Sequence, residues 1–112
     1  MLNQVVLVGR LVKEPETREI ESGAKVSEVT LAVPRSYKNA DGVYDTDFVE
    51  CTLWNTIAEN TAEYCKKGDL IGIKGRLQTD KGKDDKMKLN VVAERVTFLS
   101  SKSQERQEEV ER

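Results

Sequence analysis

Apolar residues follow the spacing of strands along most of this chain and the spacing of a helix in one segment. This order limits the folds that the chain can adopt. Five segments have the alternating or β-branched pattern of strands: Asn3 to Val12, Lys25 to Val33, Asp47 to Trp54, Leu70 to Gln78 and Met87 to Leu99. A helical spacing separates the third segment from the fourth. This order is that of the OB-fold, a five-stranded Greek-key barrel with one helix between strands 3 and 4. We therefore predict an all-β OB-fold domain over residues 1–99 and a short polar tail over residues 100–112, disordered or frayed.

The segment from Thr56 to Lys67 has the period of a helix. One face is formed by residues at i, i+4, i+7 and i+8, namely Ile57, Thr61, Tyr64 and Cys65. Thr56 and Glu59 have the spacing of a capping box, and the lysines at the end of the segment suit the negative end of a helix dipole. Gly68 predicts a left-handed stop to the helix.

The first strand is apolar on both faces. One face carries Val5, Leu7 and Leu11, and the other carries Val6, Val8 and Val12. Two apolar faces indicate either a partner that covers the second face or a barrel that covers both.

Turn and strand signals also organise the middle of the chain. In the second strand the residues predicted to point inward are Val29, Leu31 and Val33. Pro34 is expected to end or kink that strand, because proline cannot donate to a central ladder. Residues 39–42, Asn-Ala-Asp-Gly, predict the tip of a long hairpin, since these residue types tolerate a left-handed backbone.

The residues that enzymes and metal sites need are sparse. The chain has no histidine, and Cys51 and Cys65 lack zinc-ligand spacing, so we expect buried thiols in a reducing compartment and no metal or cofactor. The sequence contains neither GxSxG nor a phosphate-binding GKS/GKT loop, which argues against catalysis. The carboxylates between Asp41 and Asp47 are expected to be solvated turn residues. No apolar run is long enough to span a membrane, and the first residues lack a basic signal region, so we expect a cytoplasmic, nucleoid-associated protein.

Two large aromatic residues fall on the outer face of the third strand. Val49, Cys51 and Leu53 share the inward parity, which places Phe48, Glu50, Thr52 and Trp54 outward. Aromatic rings among polar groups suit the stacking of unpaired bases. Packing under a loop or in a subunit interface is the alternative, and parity alone does not decide between them.

Basic residues lie near these aromatics, although the chain as a whole is not basic. The net charge is −2, so a nucleic-acid site must rest on local placement. In the fourth strand Ile71, Ile73 and Leu77 are predicted inward, and Lys74 and Arg76 outward. Further cations surround Tyr37 or occupy the loop before the last strand: Arg35, Lys38, Lys81, Lys83, Lys86 and Lys88. A solvated basic face is the alternative here.

Several stretches resemble the bacterial single-stranded DNA-binding protein family over about residues 1–99. They occur in the family's order: residues 1–11 (MLNQVVLVGRL), 31–33 (LAV), 47–49 (DFV), 58–60 (AEN), 67–68 (KG) and 75–79 (GRLQT). This agreement along the chain is more specific than any single motif.

The resemblance implies an OB-fold homotetramer that coats single-stranded DNA without marked sequence preference in replication, recombination, repair or DNA uptake. By position it implies base stacking on Tyr37, Phe48 and Trp54, and backbone contacts from Arg18, Arg35, Lys38 and Lys67. The outward face analysis adds Lys74, Arg76 and Lys81 to the predicted backbone contacts. The first strand becomes a predicted interface between protomers. Single-stranded RNA, or a protein in a primosome-type assembly, remains an alternative partner.

Departures from the family pattern predict that this protein binds single-stranded DNA more weakly, and with a stronger dependence on salt, than a full-length family member. The loop before the last strand is short, has lysines in place of an aromatic, and carries Asp80 where an arginine is common. Gln4 and Thr56 stand where basic residues often occur. The last residues lack the acidic, hydrophobic tip of the family, so recruitment of repair enzymes through a tail is not expected.

Overall fold

The computed structural model describes residues 1–101 and contains six strands and one helix. In chain order the elements are β1 (Val5–Leu11), β2 (Arg18–Glu19), β3 (Lys25–Lys38), β4 (Tyr44–Trp54), α1 (Asn55–Tyr64), β5 (Leu70–Lys81) and β6 (Met87–Ser100). All five predicted strands are present, and β2 is a short addition that the sequence pattern did not reveal. The helix lies between the third and fourth long strands, as predicted. The predicted tail lies outside the described residues, apart from its first two positions.

The strands form one sheet that closes on itself. Their order is β1-β5-β6-β4-β3-β2, and the additional pairing of β1 with β3 closes the barrel through Arg10 with Ala32 and Leu11 with Leu31. The β4–β6 pair is parallel, at Cys51 with Val91 and Thr52 with Val92. The other pairs are antiparallel. The predicted all-β OB-fold is confirmed.

The barrel interior is filled by the side chains of the predicted inward parity. The core residues that are almost fully buried include Leu31, Cys51, Leu53, Ile71 and Ile73. Burial of such side chains stabilises the barrel by roughly 1.5–3 kcal/mol for each large aliphatic residue.

The prediction that Leu77 points into the core is wrong, because this side chain is exposed. Pairing between β5 and β1 stops at Gly75 with Val5, so Leu77 lies beyond the end of β1. The side chain of Asn3 there forms the hydrogen bonds that a neighbouring strand would otherwise form. It accepts a hydrogen bond from the Leu77 N–H at 2.9 Å and donates one to the Leu77 carbonyl at 2.9 Å.

The helix is shorter than predicted at its C-terminal end, and its predicted caps are wrong. Helix α1 starts at Asn55, and no side chain among residues 1–101 caps its first turn, so Thr56 and Glu59 form no capping box. It ends at Tyr64 because Lys66 and Asp69 form a turn in which the Asp69 carboxylate accepts the Lys66 N–H at 2.9 Å.

The lysines after α1 and Gly68 therefore lie outside the helix. Gly68 adopts φ +91° and donates its N–H to the Leu11 carbonyl at 2.8 Å, which ties the turn to β1. The buried face of the helix segment is Ala58, Thr61 and Cys65, whereas Tyr64 is exposed.

The β3–β4 hairpin is continuous past Pro34 and has an irregular register near its tip. Pro34 pairs with Thr46 and Lys38 pairs with Tyr44, so four steps along β3 match two steps along β4. Pro34 thus precedes an irregularity but does not end the strand. The predicted turn at residues 39–42 is confirmed, since the Asn39 side chain accepts the N–H groups of Asp41 at 2.9 Å and Val43 at 3.1 Å.

Strand β1 keeps the two apolar faces predicted for it. Val5 and Leu7 pack against the core, whereas Val6 and Val8 are exposed on the outer face. Within residues 1–101, β1 pairs with β3 only at Arg10 and Leu11, so its edge from Val5 to Val8 has no paired strand on that side. In this part of the chain no helix is long and apolar enough to cross a membrane.

Candidate nucleic-acid interface

The outer face of β4 presents two aromatic rings to solvent, as strand parity predicted. Phe48 is 66% exposed and Trp54 is 39% exposed, whereas Cys51 and Leu53 on the opposite face are buried. Phe48 lies opposite Ala32 of β3, a small residue that leaves its ring uncovered. The rings therefore stand on the surface of a rigid barrel strand.

A groove of about 850 Å³ runs beside Trp54, across the outer faces of the strands. Its apolar lining includes Val26 and Val92, and its polar lining includes Thr52 and Asn90. The Asn90 amide donates to the Thr52 hydroxyl and links β6 to β4. The groove thus offers an aromatic ring, aliphatic surface and neutral hydrogen-bonding groups side by side.

Strand register brings Arg18 into the same groove. Arg18 of β2 pairs with Val26 of β3, which in turn pairs with Trp54 of β4. Neighbouring strands lie about 4.8 Å apart, so the Arg18 and Trp54 backbones are separated by roughly 10 Å. The short strand β2, missed by the sequence pattern, is therefore the element that positions this predicted cation.

Carboxylates pair with two of the three cations that line the groove. The Arg18 guanidinium lies 3.2 Å from a Glu28 carboxylate oxygen, and the Lys88 ammonium lies 2.8 Å from Glu50. The hydrogen bond to Glu50 raises the pKa of Lys88. A phosphate that binds either cation must compete with a carboxylate already in place.

The groove as a whole carries more acidic than basic side chains. Its charged lining residues are Lys13, Glu14, Glu16, Arg18, Glu28, Glu50, Asp80 and Lys88. With five carboxylates and three cations, the groove lining would repel the phosphates of a nucleic-acid backbone. The face suits bases better than backbone.

Arg35 forms the most complete ion pair on this side of the barrel. Its guanidinium donates to both carboxylate oxygens of Asp47, at 2.9 and 3.1 Å, and lies 3.7 Å from Asp45. The hydrogen bond from Arg35 lowers the pKa of Asp47. Asp45 and Asp47 were expected to be solvated turn carboxylates, and the structure instead engages them with Arg35. Among residues 1–101, no cluster of three metal-ligating side chains occurs.

The remaining predicted backbone contacts are scattered around the barrel. Arg76 pairs with Val92, next to Thr52, and donates to Gln78 at 2.6 Å, so it borders the aromatic face. Lys74 pairs with Val6 of β1, away from the groove.

Of two further predicted cations, one lies on a turn and the other at the end of a strand. Lys67 follows the helix, and its N–H is bound by Glu14 at 3.1 Å. Lys81 is at the end of β5 and pairs with Asp85 at 3.0 Å. Of the seven predicted backbone contacts only Arg18 lines the groove itself, and Lys88, another cation noted in the sequence, lines it as well.

Two tyrosines stand near the tip of the β3–β4 hairpin, and the sequence pattern singled out only one. The predicted Tyr37 is 64% exposed and lies in the irregular stretch of β3, outside the groove. Tyr44, at the start of β4, is 54% exposed, and the Lys38 ammonium lies 5.7 Å from its ring centroid. Extending the parity of Phe48 by four residues would have found Tyr44, but the third strand was predicted to start only at Asp47.

A closed barrel with one helix between its third and fourth long strands is the architecture of the OB-fold. A sequence model of the single-strand binding protein family matches residues 2–99. The chain belongs to the single-strand binding protein family.

Individual relatives agree with this assignment. The chain is 48% identical over 110 residues to single-stranded DNA-binding protein B of Bacillus subtilis, an alignment that covers 95% of this chain and 97% of that protein. It is 48% identical over 106 residues to single-stranded DNA-binding protein 3 of Listeria innocua, covering 91% of this chain and 66% of the relative. Single-stranded DNA-binding protein A of Bacillus subtilis is 46% identical over 107 residues, covering 92% of this chain and 62% of the relative. The chain thus spans nearly all of the first relative and about two thirds of the other two.

Proposed function

We propose that this protein binds single-stranded DNA across the outer face of β3, β4 and β6, with unpaired bases stacked on Phe48 and Trp54. The observation that carries this proposal is the pair of exposed rings on one face of β4. Stacking on such rings contributes about 1–3 kcal/mol per base and tolerates every base, because each has a π-face. Binding without marked sequence preference follows.

The charges of this face favour an arrangement with bases inward and phosphates outward. Carboxylates dominate the groove lining, so a phosphate inside it would be repelled. Arg76 and the hairpin cations Arg35 and Lys38 border the face and suit the sugar-phosphate chain. Because Arg35 is already paired with Asp47, a phosphate must compete with that carboxylate, so we expect moderate affinity that falls with salt in proportion to the number of phosphates contacted.

Other predicted contacts enter the proposal with different support. Tyr37 is exposed and supports a third stacking position outside the groove. Lys67, on a turn, and Lys81, at the end of β5, would reach a DNA strand that continues past the groove. The pairing of Lys74 with Val6 favours a place near a protomer interface for this residue rather than a DNA contact.

Self-association is part of the proposal. Val6 and Val8 form an exposed apolar face on β1, and on the β3 side the edge of β1 from Val5 to Val8 has no paired strand among residues 1–101. Unpaired strand edges and exposed aliphatic faces are suited to pairing with another chain. We propose a homotetramer that coats DNA during replication, recombination, repair or uptake in the cytoplasm.

Titration with oligothymidine of graded lengths tests the DNA-binding proposal. Trp54 is the only tryptophan, so its emission reports on the site directly. We expect quenching by single strands and weak binding of a duplex of equal length. Phe48→Ala should weaken binding by about 5- to 100-fold, which corresponds to the loss of one stacked base. Tyr64→Ala, on the helix and in ring contact with Phe98, is the matched control.

The proposal fails if Phe48→Ala binds like the unchanged protein or if a duplex binds as tightly as a single strand. Competition between matched DNA and RNA oligomers separates the RNA alternative, because stacking rings alone do not read the 2′-hydroxyl.

A further inference from the structure

The row of exposed aromatic rings on β4 continues beyond the two predicted from strand parity. Tyr44, Phe48 and Trp54 lie at even spacings on one strand, so their side chains leave the same face. The register of β4 is regular in this stretch, because the irregularity between Pro34 and Lys38 places its extra residues on β3. Tyr44 is therefore in line with the two proposed stacking rings.

The distances along the strand give each ring room for its own base. At about 3.3 Å per residue, Tyr44 and Phe48 are roughly 13 Å apart and Phe48 and Trp54 roughly 20 Å apart. Paired aromatic rings have centroids only about 4.5–7 Å apart, so these rings do not cover one another. Each ring stands as a separate surface along one line.

The surroundings of Tyr44 match those of a stacking residue. Tyr44 remains 54% exposed, and the Lys38 ammonium lies 5.7 Å from the centroid of its ring. A cation–π contact between these two residues explains the position of Lys38, but it leaves half of the tyrosine uncovered at the tip of a hairpin. A ring with an adjacent ammonium is the arrangement that pairs a stacked base with a neighbouring phosphate.

We infer that Tyr44 is a further stacking position for single-stranded DNA and that Lys38 contacts the adjoining phosphate. The DNA strand then runs along β4 from Trp54, past Phe48, to the tip of the β3–β4 hairpin. This inference rests on the proposed function and adds a binding position that the family resemblance did not supply.

Length-dependent binding tests the inference. Tyr44→Ala and Tyr44→Leu should bind the shortest oligothymidine nearly like the unchanged protein, because a strand too short to reach all three rings can still occupy the Trp54 and Phe48 positions. Both variants should bind longer oligomers about 5- to 100-fold more weakly, which corresponds to one lost stacked base. Tyr44→Phe keeps the ring and should bind normally. Lys38→Gln should reduce the slope of log affinity against log salt by about 0.7, since one phosphate contact is lost. Tyr64→Ala is the control for removal of an exposed tyrosine.

Three outcomes would overturn the inference. If Tyr44→Ala and Tyr44→Leu retain full affinity at every length while Phe48→Ala loses it, Tyr44 is no stacking position and the proposed function still stands. Weak binding by Tyr44→Phe would assign the effect to the hydroxyl group. A changed sedimentation coefficient for Tyr44→Leu without DNA would make the ring a contact between copies of the chain. If the unchanged protein does not bind single strands at all, the proposed function itself fails.

Discussion

The ammonium group of Lys88 lies 2.8 Å from a carboxylate oxygen of Glu50, in the groove that contains Trp54. This pair joins β6 to β4 across the groove lining. It neutralises a cation at the place where a ligand with a phosphate backbone is proposed to bind. The charge that the groove presents to a ligand therefore depends on the Glu50 carboxylate as much as on Lys88.

Replacing Glu50 by glutamine should tighten binding of single-stranded DNA several-fold. The change removes the competitor of Lys88 and one negative charge, so log affinity should fall with log salt more steeply by up to about 0.7. Fluorescence titration at two salt concentrations measures both effects. Glu63→Gln, on the exposed side of α1, removes the same charge outside the groove and should have a smaller effect. Equal behaviour of the two variants would show that only net charge matters.

Gly75→Ala should destabilise the barrel, whereas Gly72→Ala on the same strand should not. A Cβ at Gly75 would lie 2.2 Å from the Val92 carbonyl oxygen, next to a register irregularity that the backbone cannot easily relax. At Gly72 the nearest atom is at 3.8 Å, an ordinary contact. We expect a loss of about 1–3 kcal/mol or more for Gly75→Ala and a change within about 1 kcal/mol for Gly72→Ala. Urea unfolding of both variants measures these changes in stability, and equal stabilities would contradict the close approach at Gly75.

The two buried thiols should make the fold less stable in alkaline solution. Burial raises the pKa of the Cys51 thiol to about 12 and that of Cys65 to about 11. In the unfolded chain both thiols titrate near pH 8.5, so their contribution is complete below that pH and is lost as pH rises above it.

Between pH 7.5 and pH 9.5 the loss from Cys51 should be about 1 kcal/mol, with Cys65 acting in the same direction. Urea unfolding at the two pH values measures it, and Cys51→Ala should show a smaller pH difference. An unchanged pH difference in that variant would assign the effect to other groups.

Charging the outer face of β1 should break the proposed assembly. Lysines in place of Val6 and Val8 would be desolvated in an interface but tolerated on an open surface, so Val6→Lys/Val8→Lys should sediment as a smaller species. Val43→Lys changes an exposed valine at the hairpin and should leave the assembly intact. If the double variant sediments like the unchanged protein, β1 does not form the interface.

The order of elements and the inward side chains of the long strands could be predicted because both depend on local patterns. Leu31, Cys51 and Ile73 occupy the core as parity required. The prediction failed at Leu77 because its burial depends on whether β1, a distant segment of the sequence, extends alongside β5 at that point. The end of α1 was missed because the turn from Lys66 to Asp69 uses a side-chain hydrogen bond that has no periodic signature.

The charges of the candidate site were harder to predict than its rings. Phe48 and Trp54 could be placed on one face from a single strand. The pairing of Glu50 with Lys88 depends on β4 lying parallel to β6, and that of Arg18 with Glu28 depends on the two-residue strand β2. Sequence can count such cations, but it does not show which carboxylate each will meet.

Three consecutive residues of β6 are buried, although alternate residues of a strand face opposite ways. Val91 and Ala93 lie in the barrel core, and Val92 between them lines the groove. One short piece of backbone thus has the core on one side and, on the other, the groove that is proposed to bind DNA. A substitution of Val92 that changes the shape of the groove should therefore also change the melting temperature. A ligand that occupies the groove should raise the melting temperature by mass action.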